Sequence, residues 1–387
     1  MKLKDIAEYV TDKISSDVID LDCYVTTDSL LQNKAGRQVA VNLPPQVRTI
    51  THFRQGDILI GNIRPYLKKI WMADIDGGCN ADVLVIRAKD GHSPSFIYAL
   101  LLQDAFYEYA MKGAKGSKMP RGDKDQIMRY EIPTLSSTEE SIGKFIVDIR
   151  DKINVLTQIN RNLEAMARQL YDYWFVQFDF PDENGKPYKS SGGKMVWNEK
   201  LKRKIPEGWY AALMKDFLVI GNGKDHKDLE TGIYPVYGSG GLMRYVNDFL
   251  FSGESVLLPR KGSLSNFMYV NEPFWTVDTM FYTKEKLKGA AKYIYYSMRY
   301  VDITRYDSGT GVPSMTSISY YAMPFVKPTN DIVKLFDEIL SPWIAQIKRN
   351  EVQIKNLTKQ RDKLLPMLMN GQVSVMPSVV NCDLSHD

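Results

Sequence analysis

Two stretches of the sequence place cations, amides and hydroxyl groups directly after an apolar run. The first run, ILI at residues 58–60, is followed by a glycine and a basic, aromatic segment, NIRPYLKK. The second run, VLL at residues 256–258, leads into Pro259-Arg260-Lys261-Gly262. Lys and Arg neutralise phosphate, and Arg, Lys, Asn and Gln also bind purine edges in the major groove. Both stretches are therefore candidates for contact with DNA.

Each stretch has a glycine-rich companion further along the chain, at residues 111–124 for the first and 305–317 for the second. Glycine lets a backbone approach a phosphate closely, so the companions suit the same task. For any single Lys or Arg, the alternative is an ordinary solvated surface residue. The predicted DNA contacts are Asn62, Arg64, Tyr66, Lys68, Lys69, Lys115, Lys118, Arg121, Arg260, Lys261, Ser263, Asn266, Arg305, Thr310 and Ser314. Of these, phosphate contacts are expected at Lys68, Lys69, Lys115 and Lys118, and base contacts at Arg64, Arg260 and Asn266.

No comparable set of residues suggests catalysis. The nearest approach to the Asn/Asp-Pro-Pro-Tyr/Phe motif of adenine methyltransferases is NLPPQ at residues 42–46, which has an inserted leucine and lacks the aromatic residue. The glycine clusters GNGK at 221–224 and GSGG at 238–241 lack the flanking pattern of a phosphate-binding or dinucleotide-binding turn. The acids and the lysine of residues 181–186 crowd one polar segment, and the four histidines are not at metal-ligand spacing. The sequence therefore predicts no catalytic residue and no metal site.

The bulk composition is that of an ordinary globular protein. The chain has 387 residues, of which 25% are charged and 44% hydrophobic, with a formal net charge of +4. This length favours two domains, and the charge permits a polyanionic partner without requiring one. No apolar run approaches the roughly 20 residues that cross a bilayer, and the amphipathic start, MKLKDIAEYVTDKI, is not a signal peptide. Three widely separated cysteines offer no disulfide framework. We expect a cytoplasmic protein.

The chain contains an internal repeat. Five pairs of segments recur in the same order: LKDI at 3–6 with MKDF at 214–217, Gly56-Asp57 with Gly253-Glu254, NAD at 80–82 with TVD at 276–278, GAKGSKMP at 113–120 with DSGTGVP at 307–313, and YEIP at 130–133 with YAMP at 321–324. Single matches arise by chance, but five in one order indicate a tandem duplication.

Each repeat ends in a predicted long helix. Apolar residues alternate at four-residue and three-residue spacing, which is the 3.5-residue period of a coiled coil. The two series are Ile142, Ile146, Ile149, Ile153, Leu156, Asn160, Leu163, Ala167 and Leu170, and Phe336, Leu340, Trp343, Ile347, Asn350, Ile354, Leu357, Arg361 and Leu364. SSTEE at 136–140 predicts the capped start of the first helix, and Asn370-Gly371 the end of the second. An Asn in each series either fixes the register or is a tolerated polar residue.

The order domain, helix, domain, helix predicts a two-fold arrangement in which the helices pair in opposite directions. The similar domains would then lie at opposite ends. A helix over residues 142–170 is roughly 43 Å long. That is slightly more than one turn of DNA, about 34–36 Å.

The sequence resembles the specificity (S) subunits of type I restriction–modification systems over nearly its whole length. The stretches that carry the resemblance are GDILIGNIRPYLKK with DGGCNADVLVIR, and residues 162–209 and 234–282. The resemblance implies two target-recognition domains that alternate with two helical regions, each domain binding one half of a split DNA site. It also implies that two adenine-methyltransferase (M) subunits dock on the helices and that restriction (R) subunits join through them. S-adenosylmethionine, ATP and magnesium are expected in those partners, with no cofactor in this chain.

The predicted fold class is α+β, with two similar globular domains at opposite ends of a long antiparallel two-helix coiled coil. The predicted segments are target-recognition domain 1 at 1–140, helical region 1 at 141–180, a polar linker at 181–205, target-recognition domain 2 at 206–328, helical region 2 at 329–371, and a tail at 372–387. The aromatic side chains of residues 171–180 fit either a core or a partner surface, and the shortage of core at the end of a stalk favours a partner surface.

The companion loops differ in chemistry, since the first is rich in lysine and the second in Ser and Thr. We therefore expect an asymmetric DNA site with two unrelated halves. The alternatives are a self-contained DNA-modifying enzyme and a coiled-coil scaffold that does not bind DNA.

Overall fold

The structure is a computed structural model that describes residues 1–43, 49–116, 118–132, 138–309 and 311–375. It mixes helix and strand, as the predicted α+β class requires. The α-helices are α1 (Leu3–Ile6), α2 (Pro94–Leu101), α3 (Asp104–Lys112), α4 (Lys124–Met128), α5 (Glu139–Tyr171), α6 (Ala290–Ser297), α7 (Ser317–Tyr321) and α8 (Asn330–Met369). No helix in these ranges has both the length and the apolar character that a membrane span needs.

The ends of the two long helices are capped as the sequence predicts. The Thr138 hydroxyl accepts the Ser141 backbone N–H at 3.3 Å, and two glutamates occupy the first turn of α5. At the end of α8, Gly371 has a left-handed φ of 69°. Gly371 N–H donates to Leu368 O at 3.2 Å and Gln372 N–H to Met367 O at 2.9 Å, so the last carbonyls are satisfied in a Schellman motif.

The chain divides into two compact units. Unit 1 consists of Met1–Gln158 and Asn350–Asp387, and unit 2 is Ile159–Arg349. Each unit therefore contains one part of α5 and one part of α8.

Unit 1 has two four-stranded sheets, with strand orders β1-β8-β5-β6 and β2-β4-β7-β3. The pairs are antiparallel except for β3 and β7, which run parallel. The strands are β1 (Ala7–Tyr9), β2 (Lys13–Ser15), β3 (Tyr24–Val25), β4 (Thr49–Phe53), β5 (Ile58–Gly61), β6 (Ile70–Met72), β7 (Gly77–Cys79) and β8 (Val83–Ala88).

Unit 2 repeats this arrangement. Its four-stranded sheet has the order β12-β18-β15-β16, and its three-stranded sheet has the order β14-β13-β17, with β13 and β17 parallel. Two two-stranded antiparallel sheets, β10-β9 and β11-β19, complete it. The strands are β9 (Met195–Asn198), β10 (Arg203–Pro206), β11 (Tyr210–Leu213), β12 (Leu218–Gly221), β13 (Thr231–Gly238), β14 (Gly241–Val246), β15 (Glu254–Pro259), β16 (Met268–Asn271), β17 (Trp275–Thr276), β18 (Met280–Glu285) and β19 (Pro324–Lys327).

The apolar runs at residues 58–60 and 256–258 form the inner strands β5 and β15. Ile58 and Ile60 of β5 pack in one hydrophobic cluster, and Leu59 between them packs in another. Because successive side chains of a strand point to opposite faces, both faces of the sheet are covered. A strand between two cores has no polar face, which explains the unbroken apolar run.

The acid before each apolar run forms an ion pair with one buried partner, the acid in unit 1 and the cation in unit 2. In unit 1, Asp57 is bound by both ends of the Arg87 guanidinium, at 2.8 and 2.7 Å. In unit 2, the Lys292 ammonium is 1% exposed and lies 2.8 Å from Glu254, with Asp337 as a second partner. Burying a charge is costly unless it is paired, so each Gly-acid signature marks an internal ion pair.

The predicted helix seams avoid the exposed positions of α5 and α8. Every residue of both series is buried or half-buried. Within unit 2 the helices run antiparallel, because the Asn160 side chain donates to Ile347 O at 3.3 Å and the Tyr171 ring lies 6.2 Å from that of Phe336. Within unit 1, Ile142 of α5 shares a hydrophobic cluster with Leu365 of α8.

The aromatic stretch after α5 is core, which corrects the predicted partner surface. Tyr171, Trp174, Phe175, Phe178 and Phe180 are all buried in the main cluster of unit 2, and only Tyr173 of the set is exposed. The prediction failed because it assumed that a stalk end has little interior to fill. The aromatics instead pack against β-rich parts of unit 2, as in the contact of Phe180 with Trp209, whose ring centroids are 4.6 Å apart.

The predicted linker at 181–205 is ordered structure within unit 2. Tyr188 stacks on Phe180 with ring centroids 4.8 Å apart, and Asp179 accepts both the backbone N–H and the hydroxyl of Ser190. Strands β9 and β10 then form an antiparallel pair. This polar segment is therefore a folded part of the surface of unit 2.

Candidate nucleic-acid interface

The two predicted loops of unit 1 are joined to each other by their backbones. Arg64 N–H donates to Pro120 O at 2.7 Å, and Gly122 N–H donates to Asn62 O at 3.1 Å. Lys115 and Arg121 exchange two further backbone hydrogen bonds, both 2.9 Å long. Residues 62–69 and the described residues 113–116 and 118–123, which are distant in the sequence, therefore form one surface.

Unit 2 joins its predicted loops through the same pattern. Gly262 N–H donates to Pro313 O at 3.0 Å, and Met315 N–H donates to Arg260 O at 2.8 Å. Arg260 thus takes the place of Asn62, and Gly262 that of Arg64. Residues 260–266 and the described residues 307–309 and 311–315 form the second surface.

Four of the predicted contacts in unit 1 present their side chains to solvent. Tyr66 and Lys118 are exposed, and the Lys115 side chain is 85% exposed with its ammonium 3.4 Å from Asp123. Arg121 is exposed too, with a guanidinium nitrogen 3.0 Å from Asp82. Ion pairs this exposed are weak, about 0–1 kcal/mol, so a phosphate can compete for these cations.

Three other predicted contacts in unit 1 have polar groups that are buried or bound within the protein. Asn62 is buried beneath the joined loops. The Lys68 ammonium lies 2.8 Å from Asp104, and the Lys69 ammonium donates to the Thr27 carbonyl. These positions shape the surface, and their polar heads are less available than those of Lys115 and Lys118.

Asp104 receives two lysines. Burial raises the pKa of this carboxyl, but hydrogen bonds from Lys34 at 2.7 Å and Lys68 at 2.8 Å outweigh burial, so the pKa lies below its ordinary value. The ionised carboxylate at neutral pH keeps Lys68 beside the N-terminal end of α3.

Arg64 occupies a backbone conformation that ordinary residues avoid. Its φ is 52°, whereas Gly262, in the matching place of unit 2, has a φ of 88°. Glycine enters the left-handed region without steric cost, but arginine does not. Its Nε is also buried with no hydrogen-bond partner among the described residues. Arginine at this position is locally unfavourable, which points to a role for its side chain.

In unit 2, the predicted contacts are mostly exposed. Arg260 is exposed, with its guanidinium 5.7 Å from the centre of the Phe281 ring, and Lys261 and Ser263 are exposed beside it. The Arg305 side chain is 79% exposed and 3.0 Å from Asp302. The remaining predictions differ: Asn266 and Ser314 are half-buried, and Thr310 lies outside the described residues.

An acid shapes the companion loop in each unit. The backbone N–H of Gln126 lowers the pKa of Asp123, which caps α4. The backbone N–H groups of Ser314 and Gly309 lower the pKa of Asp307. Both carboxylates hold their loops through backbone donors, so neutral pH suits both loop conformations.

A third segment adjoins each surface, and sequence reasoning missed it. In unit 1 it contains Thr27, the acceptor of Lys69, and in unit 2 it contains Ser239, the acceptor of Asn266 at 2.8 Å. The sequence signal for this segment in unit 2 is the glycine-rich turn GSGG at 238–241, which lacks the pattern of a phosphate-binding turn.

The described residues offer no metal centre. No group of three or more His, Cys, Asp or Glu side chains among them is placed to hold a metal ion. His92 pairs with Glu139 at 3.2 Å, and His226 lies against Arg244 in a separate unit. Asp182 and Lys186 close one turn through a 2.8 Å backbone hydrogen bond. Of the methyltransferase-like NLPPQ, residues 44–46 lie outside the described ranges.

Comparison with known proteins relates the chain to one family. Residues 206–358 match the family model described as the type I restriction modification DNA specificity domain. The chain is 24% identical to the type I restriction enzyme MjaIX specificity subunit of Methanocaldococcus jannaschii, over 75% of this chain and 71% of the relative. It is 20% identical to the type I restriction enzyme HindI specificity subunit of Haemophilus influenzae, over 96% and 98% of the two chains.

The fold has a counterpart among solved structures. The crystal structure of the type I restriction–modification S subunit from M. genitalium superposes with a TM-score of 0.64 at 16% identity, covering 95% of each chain. The resemblance to specificity subunits predicted from the sequence is confirmed.

Proposed function

We propose that this chain, which resembles the specificity subunits of type I restriction–modification systems, is the subunit that recognises the DNA target. Each unit would bind one half of a split site through its joined loops. The observation that carries the proposal is the repeated loop junction: the same two backbone hydrogen bonds join two loops at the end of the inner strand in both units. The same scaffold used twice is what a bipartite reader needs.

The two surfaces differ in side chains, which supports an asymmetric site. Unit 1 offers Lys115, Lys118 and Arg121, whereas unit 2 offers Arg260 and Lys261 beside hydroxyl groups. Exposed cations bind phosphate and purine edges, and hydroxyls bind more than one kind of base. The two half-sites are therefore expected to be unrelated.

The long helices are proposed to fix the distance between the half-sites. Helix α5 has 33 residues and α8 has 40, lengths of about 50 and 60 Å. The buried 3.5-residue seam and the antiparallel contacts within unit 2 support a two-helix coiled coil with the recognition surfaces at opposite ends. Asn160 is buried in the seam and bonds to Ile347 O, which supports a role in setting the register.

The chemistry is proposed to reside in partner subunits. Two adenine-methyltransferase subunits would dock on the helices, and restriction subunits would join through them. S-adenosylmethionine, ATP and magnesium would be bound by those partners. This division of labour is supported by the names of the relatives as specificity subunits.

A domain exchange tests the proposal. The full chain is produced with its methyltransferase partner, and residues 206–328 are replaced by the matching segment of a relative. Mapping methylated adenines in the host genome should show one new half-site, one unchanged half-site and an unchanged gap. A change in both halves contradicts independent reading by the two units.

The alternative functions have their own measurements. A self-contained enzyme predicts that the purified chain binds S-adenosylmethionine or hydrolyses ATP, and either result would overturn the proposed role. A scaffold that does not bind DNA predicts no salt-dependent binding to duplex DNA, with or without the methyltransferase partner.

A further inference from the structure

A third segment is tied to the candidate interface in each unit by a side chain from the loop after the inner strand. In unit 1, the Lys69 ammonium donates to Thr27 O, and in unit 2, Asn266 Nδ2 donates to Ser239 O at 2.8 Å. Both donors had been predicted to bind DNA directly. Their polar heads instead hold a neighbouring segment of the same unit.

The two acceptors occupy the same place in the repeat. Asn80 N–H donates to Val25 O and Val277 N–H donates to Tyr237 O, both at 3.0 Å. Thr27 and Ser239 each lie two residues beyond those carbonyls. Lysine and asparagine thus make one contact at one position, although they share neither charge nor length. A contact kept by different donors indicates that the position of the third segment matters.

In unit 2, this segment is the turn of the hairpin formed by β13 and β14, and it lies against the recognition loop. A Cβ built on Gly262 would lie 3.1 Å from the Ser239 hydroxyl. One built on Gly238 would lie 2.8 Å from Met243 Sδ and 3.5 Å from the Thr279 hydroxyl. Thr279 O also accepts the Arg260 N–H at 2.8 Å.

The turn has the chemistry of a base contact and not of a phosphate contact. Residues 237–243, YGSGGLM, carry no charge. Leu242 is 51% exposed and Met243 is 55% exposed. An exposed apolar side chain such as that of Met243 suits contact with the thymine methyl group and can exclude water from neighbouring hydrogen bonds.

We propose that the third segment, residues 26–29 in unit 1 and 238–243 in unit 2, is part of the DNA-reading surface. Met243 contacts a base of the half-site bound by unit 2. Lys69 and Asn266 are positioning residues that hold the segment in place. This inference rests on the proposed function and adds a specificity-determining element to it.

The test uses the full chain with its methyltransferase partner and selection from a random duplex library. The variants are Met243→Ala, Asn266→Ala and the double variant. The matched control is Ile233→Ala, because Ile233 is 78% exposed on the same hairpin but lies about five residues, or roughly 17 Å, before the turn. Met243 is half exposed, so its truncation leaves the fold intact, and thermal unfolding verifies this for each variant.

Met243→Ala should reduce discrimination roughly 4-fold at one position of one half-site, because the contact with one methyl group is lost, and leave the other half unchanged. Asn266→Ala should act at that same position. The double variant should be no worse than the stronger single variant, because both changes disable one segment. Ile233→Ala should resemble the unmodified chain.

Three results are distinguishable. If Met243→Ala changes selectivity no more than Ile233→Ala does, the third segment is not part of the DNA-reading surface, and the proposed function still stands. Additive effects of Met243→Ala and Asn266→Ala show that Asn266 contacts DNA itself, which refutes its positioning role. If the unmodified complex selects no sequence, the proposed function fails, and the inference fails with it.

Discussion

Replacing Arg64 by glycine should make unit 1 more stable and less selective. Arg64 has a left-handed backbone with a φ of 52°, and the matching position of unit 2 already holds Gly262. The substitution therefore installs the residue that the repeat uses elsewhere at this backbone position. Its backbone hydrogen bond to Pro120 O, 2.7 Å long, does not depend on the side chain and should persist.

The expected gain in the free energy of unfolding is the balance of four contributions, two favourable and two unfavourable. The left-handed conformation costs a residue with a Cβ about 1–2 kcal/mol. Glycine also makes the unfolded chain more flexible, which lowers the free energy of unfolding by about 0.4–1 kcal/mol. Removing the buried, unpaired Nε of Arg64 relieves a further desolvation cost of about 1–3 kcal/mol, of which lost packing of the side chain consumes a part. A net stabilisation of about 1 kcal/mol corresponds to roughly 2–4 °C in Tm for a unit of this size.

The assays are thermal unfolding and half-site selection on the same preparation. Selectivity should fall by about 1–3 kcal/mol at one base position, in the half-site of unit 1 only. Lys202→Gly is the matched control: Lys202 has a φ of 50° in unit 2, and it lies outside the predicted loops. It should raise Tm without changing the selected sequence. A lower Tm for Arg64→Gly, or an unchanged half-site, would refute the argument that strain is tolerated here for DNA contact.

Three further predictions concern the ion pairs, the phosphates and the helices. Lys292→Met should destabilise unit 2 by about 3–5 kcal/mol in denaturant unfolding, because two acids lose their buried partner. The control Lys348→Met removes a surface pair with Glu272 and should cost about 1 kcal/mol or less. Lys115→Gln and Lys118→Gln should weaken binding to all sequences and lower the salt slope by about one each, with no change in the selected site. Deleting one heptad from each helix should shorten the gap between half-sites by about three base pairs, since each heptad spans roughly 10 Å. The register set by the contacts of residue 160 with 347 and of 171 with 336 makes 150–156 the partner of 351–357, and both segments lie outside the hydrophobic cores of the two units. An unchanged gap would contradict the helices as the spacer.

The repeat was predictable from sequence, but its residue-by-residue alignment was not. The proline pair of the companion loops, Pro120 and Pro313, is equivalent in the structure as predicted, since both carbonyls accept from the loop after the inner strand. YEIP and YAMP are out of step by two residues. Glu131 bridges to Lys2 where Pro324 pairs with Leu213, so the sequence identity there is coincidental. Strand pairing shows which residues of the two repeats occupy the same position in the fold, and short sequence motifs do not.

The sequence could predict some of the candidate DNA contacts to be exposed, but it could not predict that others are buried or bound within the protein. Exposed lysines such as Lys115 and Lys118 sit in polar, glycine-rich loops, and composition alone indicates exposure. Asn62 follows an apolar strand without interruption and lies beneath the loop junction, where it is buried. Lys69 and Asn266 bond to carbonyls 42 and 27 residues away in the chain. Contacts of that separation depend on strand order, which residue types at local spacing do not specify.

The shared scaffold of the two units would let one fold bind the two unrelated half-sites of the proposed function. The bonds that join the loops run between backbone groups, so they impose no requirement on the side chains at Asn62 and Arg260 or at Arg64 and Gly262. The internal ion pairs also differ between the units, since Asp57 binds Arg87 of β8 in one and Glu254 binds Lys292 of α6 in the other. Side chains on the surface can therefore change without disturbing the backbone that presents them. A substitution that breaks a loop junction should abolish recognition of a whole half-site, whereas a substitution on its surface should alter one base position.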